Sequence, residues 1–363
     1  MPIFKKKRPC EGLSVAVDVR RDALILVTLR GGAPAPLAAS LARIPLEGPG
    51  RPAPQRLTEL LAPEVERRGL QGCSSTSLLY RPQFNLVLTE APDGVAEEDL
   101  PAAMRWRVRD LIDFPAEEAV VDVLPIPVPP LPGEGDPLLV VAAPRETVRA
   151  RVTAFLEAGL DLQVVDIPDM AHRNLVRLLP DEGSSGVCLV VLSPEDPLIT
   201  ISRHGELVFS RQLGVNVREE LGALAVEGGE APETSGVEGL ALEDEPAGGE
   251  EAFQRARTGY AERLALEIQR SLDYYDSRFR QGGVQRIHLA GEGALVEGLM
   301  EELEEVLGRD FRFLDPRDFL TISTESEPEA EVGDLRVQEA IYALGAGLRM
   351  VDAEGPDAPD QPQ

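Results

Sequence analysis

The chain has 363 residues, 43% of them hydrophobic, and a formal net charge of −27. That length supports two compact lobes with proper cores, while that acidity argues against broad nucleic-acid binding by phosphate neutralisation. Cys10, Cys73 and Cys188 lack metal-ligand spacing and even pairing, so they fit a reducing compartment better than a disulfide framework; His172, His204 and His288 are equally scattered. No apolar run approaches the roughly 20 residues of a membrane-spanning helix and no signal-peptide core follows the N-terminus, so the expectation is a soluble cytoplasmic protein.

The N-terminus opens on a basic tail. Lys5, Lys6, Lys7 and Arg8 stand together on an otherwise acidic chain. They suit either peripheral contact with an anionic leaflet, at about 1 kcal/mol per charge, or a solvated tail. Residues 13–19 and 23–29 then read as a β-hairpin joined by Arg20-Arg21-Asp22, with 36–44 as a weaker edge strand. A Pro-rich linker over 48–54 leads to a helix at 56–68 that Gly69 stops. Strands follow at 77–80 and 84–89, and a helix at 97–111 with Leu100, Met104, Val108 and Leu111 on one face. Further strands at 120–124 and 138–143, a helix at 145–158, a strand at 161–167 and a helix at 170–179 complete the first half.

A second module starts at 186–192, pairs with 198–202 and turns through His204-Gly205 into 206–210, echoing the meander of 13–44. Residues 221–251 are rich in Gly, Glu, Ala and Pro without one Lys or Arg, so they bury too little apolar surface to offset ordering; a disordered acidic insertion is expected at 221–252. From Gln254 a helix carries Leu264, Ile268, Leu272 and Tyr275, and Gln281-Gly282-Gly283 reads as its C-cap. A buried strand at 286–290 runs through Gly291-Glu292-Gly293 into a helix opening at Ala294. Such a turn leaves backbone N–H groups free at a sheet edge, either as a phosphate or adenosine seat or simply as a tight turn. An edge strand at 311–315, an acidic loop at 323–332, a helix at 337–350 and a tail close the chain. No Ser/His/Asp or Cys/His arrangement supports a catalytic residue, and no metal site is expected. Asp166 with Asp169, and Glu97 to Asp99, read as acids at helix starts that favour the dipole.

With these pieces in order, the chain resembles the PilM family of type IV pilus inner-membrane assembly proteins, and within it the branch serving the MSHA (agglutinin) pilus. The likeness is carried by Arg105-Trp106 running to Asp113-Phe114-Pro115, by 140–143 with its helix through 157–160 and the strand 164–167, by 266–272, by the run 286–293, and by Tyr342-Ala343-Leu344-Gly345. It implies an α/β, actin-like fold: two lobes on duplicated ribonuclease-H-type sheets, with a small inserted subdomain like that of FtsA and PilM. The implied division is a basic tail (1–11), a first lobe (12–83 and 164–185) interrupted by the subdomain (84–163), a second lobe (186–220 and 253–335) interrupted by the acidic insertion, a C-terminal helix returning to the first lobe (336–351), and a tail (352–363).

The resemblance further implies a scaffold rather than an enzyme. Its partner would be a PilN-like bitopic inner-membrane protein (MshJ in the MSHA system) whose N-terminal peptide docks between the first lobe and the subdomain. Arg105, Trp106, Arg109 and Phe114 are the candidate surface, and the assembly platform and motor are the wider context. Actin-like ATPases hold Mg-ATP with an Asp and small residues in each meander's first turn. Here Asp18 is kept, but Arg20-Arg21-Asp22 follow it, and the second turn, Leu192-Ser193-Pro194-Glu195-Asp196-Pro197, brings two prolines and two carboxylates. Asp18, Gly291 and Gly293 are the candidate nucleotide residues in a site that looks degenerate. An ATP-binding or ATP-hydrolysing member, or a soluble type II secretion GspL-like protein, is the alternative.

Overall fold

The computed structural model describes residues 10, 12–32, 35–48, 50–179, 186–217, 249–280, 283–324 and 332–353. The basic residues Lys5 to Arg8, 221–248 of the expected acidic insertion, 325–331 of the acidic loop and 354–363 of the tail lie outside them.

Alternation in the first strand divides the first lobe into two faces. In β1 (Leu13–Val19), Val15, Val17 and Val19 point to one side and Ala16 and Asp18 to the other. β1 pairs antiparallel with β2 (Ala23–Gly32), which pairs with β3 (Ala35–Pro45). β4 (Ser74–Leu78) and β8 (Asp161–Asp166) extend the sheet in parallel on the other side. Helices α1 (Pro54–Arg68) and α3 (Arg145–Glu157) cover the Val15 face with Leu57, Leu61, Val65 and Phe155. Gly69, in the left-handed conformation at φ 65°, ends α1 where the sequence predicts.

β3 is no edge strand. β14 (Thr321–Thr324) lies parallel beside it, giving the order β14-β3-β2-β1-β4-β8. The start of the predicted acidic loop at 323 is therefore strand.

The second sheet repeats this plan. β9 (Gly186–Val191), β10 (Leu198–Arg203) and β11 (Glu206–Gln212) form the meander; β12 (Val284–Ala290) and β13 (Asp310–Phe313) add in parallel, in the order β11-β10-β9-β12-β13. One face is packed by the helix α5 (Gly249–Phe279) through Leu264, Ile268, Leu272 and Tyr275, as the periodicity predicts. α5 starts at Gly249, inside the expected disordered insertion, and ends at Phe279, with Arg280 after it at φ 50°; Gln281 and Gly282 of the expected C-cap lie outside the described residues. Past β12 the chain makes a 3-10 turn over Glu292–Leu295, and helix α6 (Leu299–Leu307) starts later than predicted because Gly298 sits at φ 77°.

Between the halves, α4 (Pro168–Val176) and α8 (Ile341–Ala353) cross. A β-carbon at Gly345 would lie 2.4 Å from the Ala171 carbonyl oxygen, so the crossing requires a glycine there. A short helix α7 (Asp334–Glu339) precedes α8.

The small subdomain is an antiparallel sheet in the order β5-β7-β6, from β5 (Asn85–Glu90), β6 (Ala119–Pro125) and β7 (Pro137–Pro144). One face is covered by α2 (Leu100–Arg107) and the turn after it, through Met104 and Val108 on Leu138 and Val140. The other turns Leu86, Leu88 and Leu139 to the second lobe. The small sheet ends at Pro144, and residue 163, where the sequence reading ends this subdomain, falls within β8 of the first sheet.

Cysteine chemistry departs from expectation. Cys10 is disulfide-bonded to Cys73 at the entry to β4, with Cα atoms 5.0 Å apart; the irregular spacing hid a pairing made by tertiary proximity. Cys188 is free and fully buried.

Candidate functional site: the cleft between the lobes

Three turns converge above the facing ends of the two sheets: Arg20 to Asp22 after β1, Ser193 to Pro197 after β9, and Gly291 to Gly293 after β12. The duplicated topology brings them together, because each follows the C-terminal end of a central strand. Asp18, Gly291 and Gly293 thus come to one cleft, bridged below by α4 and α8.

Asp18 is fully buried. Its Oδ1 accepts from the Tyr80 hydroxyl at 2.8 Å. Burial pushes the carboxyl up to about 6, with Arg20 and the Tyr80 hydroxyl pulling against it. Arg20, in the turn of the first hairpin, is 3% exposed. Its Nη2 donates to Glu292 Oε1 at 2.7 Å and its Nη1 to the Glu339 carbonyl at 3.2 Å. The glutamate between the two glycines therefore reaches across to the first hairpin turn.

A second bridge joins the two hairpin turns. Glu195 Oε1 accepts from the Arg21 backbone N–H at 2.5 Å, and Oε2 meets Arg51 Nη2 at 2.6 Å. Arg51 comes from the predicted Pro-rich linker. Its Nε donates to the Val19 carbonyl at 3.0 Å and its guanidinium lies 4.3 Å over the Tyr80 ring.

The glycine turn is likewise engaged with protein. Gly291 N–H donates to Gln338 Oε1 at 2.7 Å and Gly293 N–H to the Leu192 carbonyl at 2.9 Å. A β-carbon at Gly293 would sit 2.7 Å from Leu192 Cβ, so this glycine permits close packing of β12's turn against the second hairpin. The amides expected to be free are committed.

Deeper in the cleft, Arg81 contacts Asp169 at 3.0 Å and Asp196 at 3.5 Å, and Ser210 Oγ also donates to Asp169. Asp169 stands in the first turn of α4, as expected, and is also the buried partner of Arg81; Asp166 lies before that helix without capping it and accepts from Arg349 at 3.2 Å. The 3-10 turn at Glu97–Asp99 likewise has no side-chain cap. Burial raises Asp196 to about 6, opposed first by Arg81. Tyr342 of α8 donates to the Asp196 carbonyl at 2.7 Å and stacks on His172, 5.5 Å between centroids. Burial lowers His172 to about 3, so it sits neutral with Nδ1 2.9 Å from Thr200 Oγ1.

The other candidate residues lie apart, on the small subdomain. Trp106 is 54% exposed on α2, beside exposed Arg109 and Leu111, while Arg105 and Phe114 are half-buried. Asn85 Nδ2 donates to Asp113 at 3.0 Å, which ties the Asp113-Phe114-Pro115 turn to the start of β5. On the opposite face of this sheet, a groove of about 440 Å³ lies against the second lobe, lined by Leu88, Leu139, Phe209, Arg270 and Tyr274. Sequence reasoning missed Arg51, Tyr80 and Arg81, which carry no motif. It noted Glu195 only as one of two carboxylates in the second turn and Glu292 only as the residue between two glycines; their opposite charge to the Arg20-Arg21 turn was the available signal.

The sequence matches the family model for type IV pilus assembly protein PilM over residues 88–352. Among solved structures, a PilM–PilN type IV pilus biogenesis complex superposes with a TM-score of 0.68 at 22% identity, covering 95% of this chain and 99% of that one. The cytoplasmic domain of EpsL, an inner-membrane component of the Vibrio cholerae type II secretion system, matches at 0.46 and 13% identity, covering 92% and 94%. ADP-bound MreB5 of Spiroplasma citri matches at 0.46 and 10%, covering 94% and 96%. The two-lobed fold is actin-like.

Proposed function

The chain belongs to the type IV pilus assembly protein PilM family, and from that premise we propose that it is a scaffold of the inner-membrane assembly platform whose lobes are held together without nucleotide. The observation that carries this reading is the double clasp over the cleft. The Arg21 amide is bound by Glu195, the Gly291 and Gly293 amides by Gln338 and Leu192, and Arg20 by Glu292. Pro194 and Pro197 have no amide to offer. Mg-ATP does not fit these residues: its phosphates would meet two carboxylates and few free donors.

The partner is a PilN-like protein, as in the superposed complex, on the family resemblance a bitopic inner-membrane one, and its N-terminal peptide docks on the small subdomain around Arg105, Trp106, Arg109 and Phe114. An exposed Trp flanked by arginines is the kind of anchor on which interface energy concentrates. Among the described residues no helix is long and apolar enough to cross a membrane; in this reading the partner supplies the attachment, on the cytoplasmic side. The resemblance of the Arg105 to Pro115 and 286–293 segments supports placing the protein in the MSHA branch as an MshI-type member with an MshJ-like partner, feeding the assembly motor.

The test is anisotropy of a labelled N-terminal peptide of the PilN-like protein. Trp106→Ala should weaken binding at least about tenfold, the scale of a hot-spot residue, with unchanged thermal stability, and Mg-ATP should alter neither binding nor unfolding. Binding that survives Trp106→Ala but is lost in Leu88→Asp would move the dock to the groove on the other face. Stabilisation by Mg-ATP would overturn the nucleotide-free reading.

A further inference from the structure

Glu195 is held in the manner of a bound ligand. One carboxylate oxygen takes a backbone N–H from the hairpin turn of the opposite lobe and the other takes a guanidinium. That guanidinium is fixed independently of Glu195, by the Val19 carbonyl and the Tyr80 ring. The Glu195 side chain is 8% exposed, and Arg51, at 16%, has no other carboxylate within ion-pair distance among the described residues. A main-chain N–H at a hairpin turn beside a preorganised guanidinium is a donor set for an oxyanion, bidentate and charge-assisted.

We infer that the Arg21 amide and Arg51 form a built oxyanion site whose resident is the protein's own Glu195 carboxylate, and that inorganic phosphate is the class of free ligand able to replace it. This rests on the reading of the cleft as closed to nucleotide. The donors belong to the first lobe and the carboxylate to the second, so the resident anion also fastens the lobes. Glu195 does permanently what a bound phosphoryl group would do transiently. Removing its side chain takes the acceptor from Arg51 Nη2 and from the Arg21 amide, while Arg51 Nε keeps the Val19 carbonyl and Arg20 keeps Glu292.

The experiment uses the full chain. Thermal unfolding of wild type, Glu195→Ala and the double variant Glu195→Ala/Arg51→Ala is followed while sodium phosphate replaces sodium chloride at constant ionic strength. Wild type and the double variant should show the same small response. Glu195→Ala should unfold several degrees lower in chloride and recover most of that loss in phosphate, with saturation in the millimolar range. A folded Glu195→Ala whose phosphate response matches wild type overturns the inference. If that variant does not fold, Glu195→Gln takes its place, since its amide keeps the shape but offers Arg51 no charge; ³¹P line broadening in it, absent from wild type, supports the site, and its absence overturns it. Mg-ATP stabilising wild type would defeat the closed-cleft reading whatever Glu195 does. A phosphate-silent Glu195→Ala with an ATP-silent wild type defeats only the surrogate.

Discussion

Arg20 and Glu292, 272 residues apart in sequence, meet at 2.7 Å with side chains 4% and 12% exposed. A pair this buried is costly to break and cheap to replace whole, because loss of one partner strands a desolvated charge. Arg20→Met or Glu292→Leu alone should cost about 3–5 kcal/mol in urea unfolding, and the double variant much less than their sum. Additive losses would show that the pair is not coupled.

Acid should act on the cleft in two opposing ways. Asp18, held near 6 against an ordinary 3.8, keeps its proton better folded than unfolded. Its stabilising contribution is complete below about pH 4 and gone above about pH 6, a span worth about 3 kcal/mol. Wild type should therefore gain on Asp18→Asn as the pH falls through that window. His172, lowered to about 3 from 6.5, does the reverse, and His172→Gln should gain on wild type over the same fall. Urea midpoints of the three proteins at pH 4, 5, 6 and 7 check both signs.

The helix crossing gives a sharper steric forecast. A β-carbon at Gly345 meets backbone, the Ala171 carbonyl, whereas one at Gly347 meets the end of the Leu29 side chain. Gly345→Ala should cost about 1–3 kcal/mol as an overpacked contact, and Gly347→Ala less, in paired melting curves.

The Cys10–Cys73 bond spans 63 residues. On the chain-entropy account a closure of that length stabilises by about 4 kcal/mol. Cys10→Ser should therefore lower the melting temperature, and added reductant should lower that of the wild type but leave the variant unmoved.

How much of this was readable beforehand depends on range. The apolar periodicity of Leu264, Ile268, Leu272 and Tyr275 and the two meanders are local signals, and they held. Boundaries slipped where one residue's backbone decides, as at Gly298 and Arg280. What no local pattern carries is contact across the fold. β14 reads as acidic loop until β3 is beside it, Arg51 reads as linker until Tyr80 is beneath it, and Cys10 reads as unpaired until β4 brings Cys73 near. Glu195 was visible as a carboxylate in the second turn and Glu292 as an intruder between two glycines; only the arrangement of the turns reveals that each has a cation or amide waiting for it.

The path of β14 has a consequence of its own. The chain leaves the first lobe through α4, builds the second sheet, returns to lay β14 along β3, touches the glycine turn again with α7, and ends in α8 against the first sheet. The first lobe is not a continuous stretch of chain, since the second sheet is inserted between its β8 and its β14, so it cannot be excised as a folding unit. Unravelling the second lobe would pull at a strand of the first. Melting should then be a single cooperative event in calorimetry, with the two lobes sharing one fate rather than failing in turn.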